Sequence, residues 1–468
     1  MKVTLLGHAS LLLELDGANV LMDPVFQDPF QDGAVVACPQ REIFVDRLPP
    51  IDKIVISHAH LDHFDLRSLD RLPRHLEVLC PQDPVLPYAL GKLGFRNVRT
   101  LAANTFVDFG SWQILTTYSD VDVIEVGVVF RDRSGTCWNE VDSVVNPATV
   151  EAVRAQMGHI DLLFTGYASQ NVAFFESMRA GYPLGFTRMN LANVRAIAPG
   201  LAVPGSAGYR FAGVLDWTNA FLFPIARDYF LEDLARVAPD VRAALANPGD
   251  VFVIGNGTVE RREGASDIAR MIEDDTWRLA FDATAAVPPL VDTNVLGYPI
   301  DVVEKQVETT LDGLERFVRA AYAGQLVDPT IEEYRRIGFT YGLGVLFPDG
   351  HEVWRHFHFD EDAPRIEQAP TRLRGAIATH RLAASMLTAR ARYEKSYLYY
   401  RGFSRMNQTF HGTEVSAGGV VRESKEPADL LGYYLAHRAP GADRAAFHRM
   451  DFLLEKFFRE SAAAELPR

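Results

Sequence analysis

Along the first half of the chain the apolar positions come in short runs with the period of strands. "KVTLLGHASLLLELDG" and "NVLMDPVF" read as a hairpin with Gly17 in the turn. "KIVISHA" is a short apolar run of the kind buried on both faces, and it ends where a group of histidines begins. "LRSLDRLP" has helical spacing. "WQILTTYS", "DVIEVGVVFRD" and "TCWNEVD" predict successive strands. "PATVEAVRAQMG" predicts a helix with Asn146 as its cap and Pro147 in its first turn. "HIDLLFTGY" predicts another buried strand with polar residues arriving at its C-terminal end. Strands interleaved with helices predict an α/β layered domain over residues 1–265. Beyond that the texture changes. "IDVVEKQVETTLDGLERFVRAAYAG" has the stripe of a long amphipathic helix, and "HEVWRHFHFD" alternates like a strand. "THRLAASMLTARARYEKSYLYYRG" and "RAAFHRMDFLLEKFFRE" read as helical. Residues 266–468 are therefore expected to form a smaller, helix-rich α+β accessory domain. It would serve as a cover for the first domain's site or as a dimerisation element, the latter giving a homodimer.

Composition narrows the class. A chain of 468 residues is long enough for two or three domains. Its net charge of −14 argues against nucleic acid or an anionic membrane surface as the main partner. A small anionic substrate stays allowed, since it needs only a local basic pocket. Cys38, Cys80 and Cys137 make no paired spacing, so neither a disulfide framework nor a cysteine-rich metal site is expected. The N-terminus is broken by His8 and Glu14 and reads as strands rather than a signal peptide, and no apolar run is long enough to span a membrane. A cytoplasmic protein is the expectation.

The chemistry concentrates in "VISHAHLDHFD". His58, His60, Asp62 and His63 form H-x-H-x-D-H, and imidazole with carboxylate suits zinc, iron or manganese. In a loop leaving a strand, residues i and i+2 point the same way, so His58 and His60 can hold one ion. Asp62 and His63 can then reach a second. The alternative is a polar loop with unrelated histidines, which a single H-x-H would not exclude.

"SHAHLDH" resembles the signature of the metallo-β-lactamase superfamily, and "GHASLLLE" and "LMDPVF" resemble that superfamily's opening hairpin and strand end. The resemblance implies an αββα sandwich over about residues 1–265 with a two-metal site at one edge of its sheets. It implies supporting rather than ligating roles for His8 and Asp23. The superfamily includes hydrolases, oxidoreductases and oxygenases. Its pattern expects a third-position histidine, and "LTTYSDVDVIEVGVVF" supplies only the carboxylates Asp120, Asp122 and Glu125. Asp120, nearest the strand end, ranks first among them. Asp142 in "CWNEVDS" corresponds to the bridging aspartate. The last histidine of the pattern has no counterpart, because none occurs between His159 and His351. Carboxylate for imidazole suits iron, as in the oxygen-activating di-iron hydroxylases of this fold.

"GTCWNEVDSVVN", "DLLFTGYAS" and "LAVPGSAGY" further resemble the metallo-β-lactamase-like half of the CMP-N-acetylneuraminate hydroxylases. Those enzymes carry a Rieske centre, whose Cys-x-His and Cys-x-x-His pairs are missing from this sequence, so a separate electron-donor protein is implied. The same resemblance places Tyr167, Ser169, Tyr209 and Trp217 around the pocket as substrate-binding residues, with packing roles as the alternative. "FVIGNG" reads as a turn, since it lacks the full dinucleotide fingerprint. His356 and His358 share a strand face, read as an exposed face or a lid. The reading is a non-haem di-iron, O2-dependent oxygenase acting on a small polar metabolite. His58 and His60 with Asp120 or Glu125 would hold one iron and Asp62 and His63 the other. Asp142 would bridge, with Asp62 and Asp142 as the catalytic carboxylates. The alternatives are a zinc- or manganese-dependent hydrolase of an ester, lactone or phosphodiester, and a binding protein with a degenerate site.

Overall fold

The computed structural model describes residues 1–167, 170–408, 413–415, 421–423 and 429–464. The chain falls into two compact units. One comprises Met1–Asn171, Gly181–Ala285 and Leu454–Arg468, the other Val172–Ala180 and Ala286–Leu453. The first unit thus runs past the expected residue 265. The strand Ala269–Glu273 pairs antiparallel with Gln40–Ile43, and Arg210 Nε donates to the buried Asp275 carboxylate at 2.6 Å. These contacts tie the segment after 265 to the first unit.

The first unit is a sandwich of two sheets. The eight-stranded sheet runs, edge to edge, Thr258–Arg262, Val251–Gly255, Lys2–Gly7, Ser10–Leu15, Ala18–Met22, Lys53–Val55, Glu77–Pro81 and Asn97–Leu101. Its last four strands pair in parallel, the others antiparallel. The six-stranded sheet runs Leu201–Pro204, Leu162–Thr165, Gly135–Asn139, Gly127–Asp132, Trp112–Thr117 and Phe106–Asp108. Strand alternation builds the layers. Val128, Cys137 and Leu162 turn inward onto Leu11, Leu13, Val20 and Phe252 of the facing sheet. Their neighbours Val129, Trp138 and Leu163 turn outward onto Val150, Val153, Leu191, Val194 and Phe230 of the covering helices. Each fully buried aliphatic side chain contributes about 1.5–3 kcal/mol. On the other face, the helix Val85–Lys92 lies on the strands Glu77–Pro81 and Asn97–Leu101. The αββα order is that of the metallo-β-lactamase sandwich.

Two local readings change. "KVTLLGHASLLLELDG" is two strands, because the chain reverses at His8 and Ala9. "DVIEVGVVFRD" is a strand only from Gly127, with 120–126 a loop. The helix Pro147–Met157 starts as expected, with the Asn146 side chain accepting from Thr149 N–H.

In the second unit a five-stranded sheet has the order Pro364–Ala369, Glu352–Phe359, Thr340–Leu346, Ala378–Ala383, Ser404–Gln408. The long helix Ile300–Tyr322 buries Val303, Val307, Leu311, Leu314 and Val318, a stripe at helical spacing. "THRLA", expected as helix, is the strand Ala378–Ala383, and the helix begins only at Ala384. This strand pairs with Thr340–Leu346 on one side and Ser404–Gln408 on the other, and that tertiary pairing outweighs the helical spacing of the sequence that follows. His356 lies on the strand Glu352–Phe359 and is buried, its Nε2 within 2.8 Å of Thr371 O, so this face is not simply an exposed one. No helix among the described residues is long and apolar enough to cross a membrane.

Candidate metal centre

The site lies where strands of the first unit end together. Lys53–Val55 sits between Ala18–Met22 and Glu77–Pro81, and beyond it Ile56 N–H still bonds Leu79 O at 2.8 Å. The chain then leaves the sheet. His63 and Phe64 N–H both donate to His60 O, closing a turn that presents the motif. Asp65 ends the motif by capping the helix Leu66–Asp70, accepting from Ser68 N–H at 3.1 Å.

One carboxylate orients the imidazoles. Asp23 follows the neighbouring strand and is fully buried. Its Oδ1 accepts from Ser57 N–H at 2.7 Å. Its Oδ2 accepts from Ser57 Oγ at 2.6 Å and lies 3.0 Å from His63 Nδ1. Ser57 Oγ in turn lies 2.9 Å from His58 Nδ1. Because the Ser57 hydroxyl proton goes to Asp23, its oxygen is left to accept from His58 Nδ1–H. Both rings therefore carry their proton on Nδ1 and turn a free Nε2 into the site, the arrangement a metal needs.

The free donors converge in two groups: His58, His63 and Asp142, and His8, Asp62 and His63. In the first, Asp142 Oδ2 lies 3.4 Å from His63 Nε2 and 3.9 Å from His58 Nε2. His60 Nδ1 stands 2.9 Å from His58 Nε2, so the H-x-H pair does face one point. In the second, Asp62 Oδ2 lies 3.4 Å from His8 Nε2 and 3.8 Å from His63 Nε2. Donors bound at the usual ~2.0–2.2 Å to one ion stand about 3–3.5 Å apart, so both groups are spaced for a metal. His60 is exposed and the Asp142 side chain is 33% exposed, whereas His8, Asp62 and His63 are buried. The site thus has an open side and a closed side.

The charges answer to the same geometry. Burial, with His63 and His60 nearby, holds His58 well below its ordinary pKa, which keeps it neutral. Burial opposes charge on His63 too, but Asp142 and Asp62 outweigh it and raise that group. Burial would likewise raise Asp142, yet His63 and His58 bring it down to about 2. His8, Asp23 and Val141 all have positive φ, at 51°, 44° and 56°. Such backbone is strained for any non-glycine residue and most of all for a β-branched one. The three residues carry or adjoin the donors His8 and Asp142 and the carboxylate that orients the rings.

The three carboxylates expected for the third position differ in burial. Asp120, Asp122 and Glu125 all stand outside the two converging groups, and Asp120 and Asp122 are exposed. Glu125 is buried, with Ser119 Oγ donating to its Oε1 at 2.6 Å. Burial raises its pKa, the Ser119 hydrogen bond lowers it, and Asp142, His60 and His63 all act on it. It faces the site because Val126 N–H bonds Ser57 O at 3.1 Å, drawing this end of the loop onto the histidine motif. Burial, which proximity along the chain to a strand end does not report, separates Glu125 from Asp120 and Asp122.

Tyr209 packs edge-on to the His8 ring at 5.1 Å and accepts from Gln170 Nε2. Tyr167 is buried beside Phe230, a packing position, although it also lines a cavity. Trp217 lies in a 3-10 turn with its ring against Phe221, a packing contact. Ser169 lies outside the described residues. Behind the site a cavity of about 420 Å³ is lined by Tyr182, Phe223, Arg227, Tyr229 and Phe281 among others. It shares Cys38, Tyr167, Ala207 and Arg227 with a small pocket that His8 lines.

Residues 2–138 match the family model described as a β-lactamase superfamily domain. This part of the chain belongs to the metallo-β-lactamase superfamily. Among curated proteins it is 30% identical over 186 residues to a Mycolicibacterium smegmatis protein named for a Rieske 2Fe-2S iron–sulfur centre, covering 36% of this chain and 34% of that one. It is also 36% identical over 73 residues to a Caenorhabditis elegans N-acyl-phosphatidylethanolamine-hydrolyzing phospholipase D, covering 15% and 20%. The chain thus spans about a third or less of the length of these relatives. Among solved structures, the di-iron β-hydroxylase CmlA of Streptomyces venezuelae is similar over 56% of this chain and 54% of that one, with 18% identity and a TM-score of 0.39. An isothiocyanate hydrolase from Delia radicum gut bacteria is similar over 55% and 100%, with 17% identity and a TM-score of 0.42. Metal binding is a property of this superfamily, and the donor geometry above fits it.

Proposed function

We propose that the first unit is a two-metal oxygenase that uses O2 and iron to oxidise a small polar metabolite. The observation that carries this is Glu125, the buried carboxylate of the stretch in which the family resemblance expects an imidazole and this sequence supplies only carboxylates. A harder, anionic donor favours iron over hydrolytic zinc and stabilises its oxidised states. His58, His60 and Glu125 would hold one ion, Asp62 and His63 the other, and Asp142 would bridge. A carboxyl that burial pushes toward its protonated form, as here, is one that a nearby cation would restore to carboxylate.

When bound, two irons would supply the redox chemistry with O2. The chain's own groups do the rest. Asp23 and Ser57 hold His58 and His63 in the ligating tautomer. The open side at His60 and Asp142 admits substrate, while the closed side around Asp62 and His63 keeps water away. Arg227, in the cavity that adjoins the His8 pocket, has its Nη1 donating to Ala246 O and Asn247 Oδ1. Electrons would come from a separate protein, because the Cys and His pairs of a Rieske centre are missing from this sequence.

A second reading, a zinc- or manganese-dependent hydrolase, is favoured by one observation: four imidazoles, those of His8, His58, His60 and His63, surround the site, a nitrogen-rich set that suits zinc. Metal analysis of protein made under iron-replete conditions separates the two. About two irons per chain with an oxo-bridge absorption supports the oxygenase. Bound zinc with ester, lactone or phosphodiester turnover refutes it in favour of the hydrolase.

A further inference from the structure

The superfamily pattern ends with a histidine late in the domain, and this chain has none there. Of the first unit's histidines outside the H-x-H-x-D-H motif, His75 and His159 are exposed. Only His8 is buried, at 6% exposure. It comes from the turn after the first strand.

We propose that His8 is itself a metal ligand and, together with Asp62 and His63, completes the second metal position. This rests on the two-metal reading above and deepens it. His8 Nε2, His63 Nε2 and Asp62 Oδ2 form a triangle with edges of 3.2, 3.4 and 3.8 Å. A point about 2.0 Å from all three corners exists, the distance expected for nitrogen and oxygen donors to zinc or iron. His63 Nδ1 lies 3.0 Å from Asp23 Oδ2, which turns the Nε2 of that ring into the triangle.

The surroundings fix His8 in place. Its Nδ1 has no hydrogen-bond partner among the described residues, and its Nε2 is the nitrogen turned to Asp62 and His63. Its ring is wedged between Tyr209 and Phe30. Its backbone is held at φ 51°, and a Cβ on Gly208 would lie 2.8 Å from its Cα and N. A glycine that lets a second backbone press against a strained histidine is a positioning device.

The test counts metal. The full chain is stripped with chelator, reloaded with Zn2+, dialysed and analysed. Wild type should hold two ions. His8→Ala and His8→Gln should each hold one, with affinity for the second lowered at least about tenfold. Circular dichroism checks that each variant is folded. Gln can still donate to Asp62 but binds transition metals poorly. If His8→Gln keeps two ions, His8 acts only by hydrogen bonding and the proposal is overturned. Two ions in His8→Ala overturn it equally. If His8→Ala does not fold, His8→Gln decides alone. A wild-type chain that binds no metal refutes the two-metal reading and this assignment with it, whereas two ions in every variant refute this assignment only.

Discussion

Replacing Asp23 with Asn changes one atom of a buried side chain and leaves its volume intact, so it isolates the hydrogen-bond logic of the site. In the native chain Asp23 Oδ2 accepts from Ser57 Oγ at 2.6 Å and from His63 Nδ1 at 3.0 Å. Asn Oδ1 can still accept from Ser57 N–H, which leaves an NH2 donor facing both of the other groups. His63 Nδ1 must then give up its proton to accept, and the proton moves to Nε2, where the metal would bind. The Ser57 hydroxyl must also turn, donating to His58 Nδ1 and pushing that ring's proton to Nε2 as well. Losing one outer partner of a ligating histidine costs 10- to 100-fold in metal affinity, about 1.4–2.7 kcal/mol. His63 belongs to both donor groups, so both metal positions should weaken by at least this much. Competition for Zn2+ against a chromophoric chelator measures the affinities. The imidazole nitrogen shifts of the metal-free protein report the tautomers directly. A folded Asp23→Asn chain that holds both ions as tightly as wild type, with unchanged tautomers, would refute the reasoning.

Glu125→Ala should weaken the metal position of His58 and His60, while Asp120→Ala, at an exposed loop position, should leave metal content unchanged and stability within about 0.5 kcal/mol; metal counts on the two variants check this. Gly208→Ala should destabilise the first unit by about 1–3 kcal/mol in denaturant unfolding. Restoring ordinary contact from the 2.8 Å that its Cβ would have to His8 means moving that backbone by roughly 0.6 Å, beyond the ~0.2 Å tolerance of a ligand distance, so the second ion should be lost too. In the second unit, burial alone would raise the Asp429 carboxyl, but His380, Arg401 and the Gly432 N–H hold it well below the carboxylate range. A depressed folded pKa means stability that is present above the unfolded value near ~3.9 and lost as pH falls below it. Asp429→Asn should flatten this acid limb in pH-dependent unfolding and, by stranding the buried Arg401, cost about 3–5 kcal/mol at pH 7.

What the sequence determined by itself is what depends on neighbours along the chain. The four residues of H-x-H-x-D-H are local, and i, i+2 geometry brings the His58 and His60 rings together where the loop leaves its strand, 2.9 Å apart at Nε2 and Nδ1. The sandwich was legible for the same reason: inward and outward positions alternate along each strand, and capping residues such as Asn146 mark their own helix. The tertiary structure decided what depends on strand order and loop burial. Asp23 and His8 reach the motif only because Ala18–Met22 pairs with Lys53–Val55 and because the first strand ends at the same edge of the sheet. No spacing rule links position 8 to position 62. Glu125 replaced Asp120 as the buried carboxylate because Val126 bonds back to Ser57, a contact between segments nearly seventy residues apart that draws one end of the 120–126 loop inward. The early end of the second unit moved for a similar reason, since Ala269–Glu273 completes a pairing with Gln40–Ile43. Periodicity reports which face of an element is apolar. Which donors meet across a site is set by the register of elements far apart in the chain, and that is fixed only when the whole core packs.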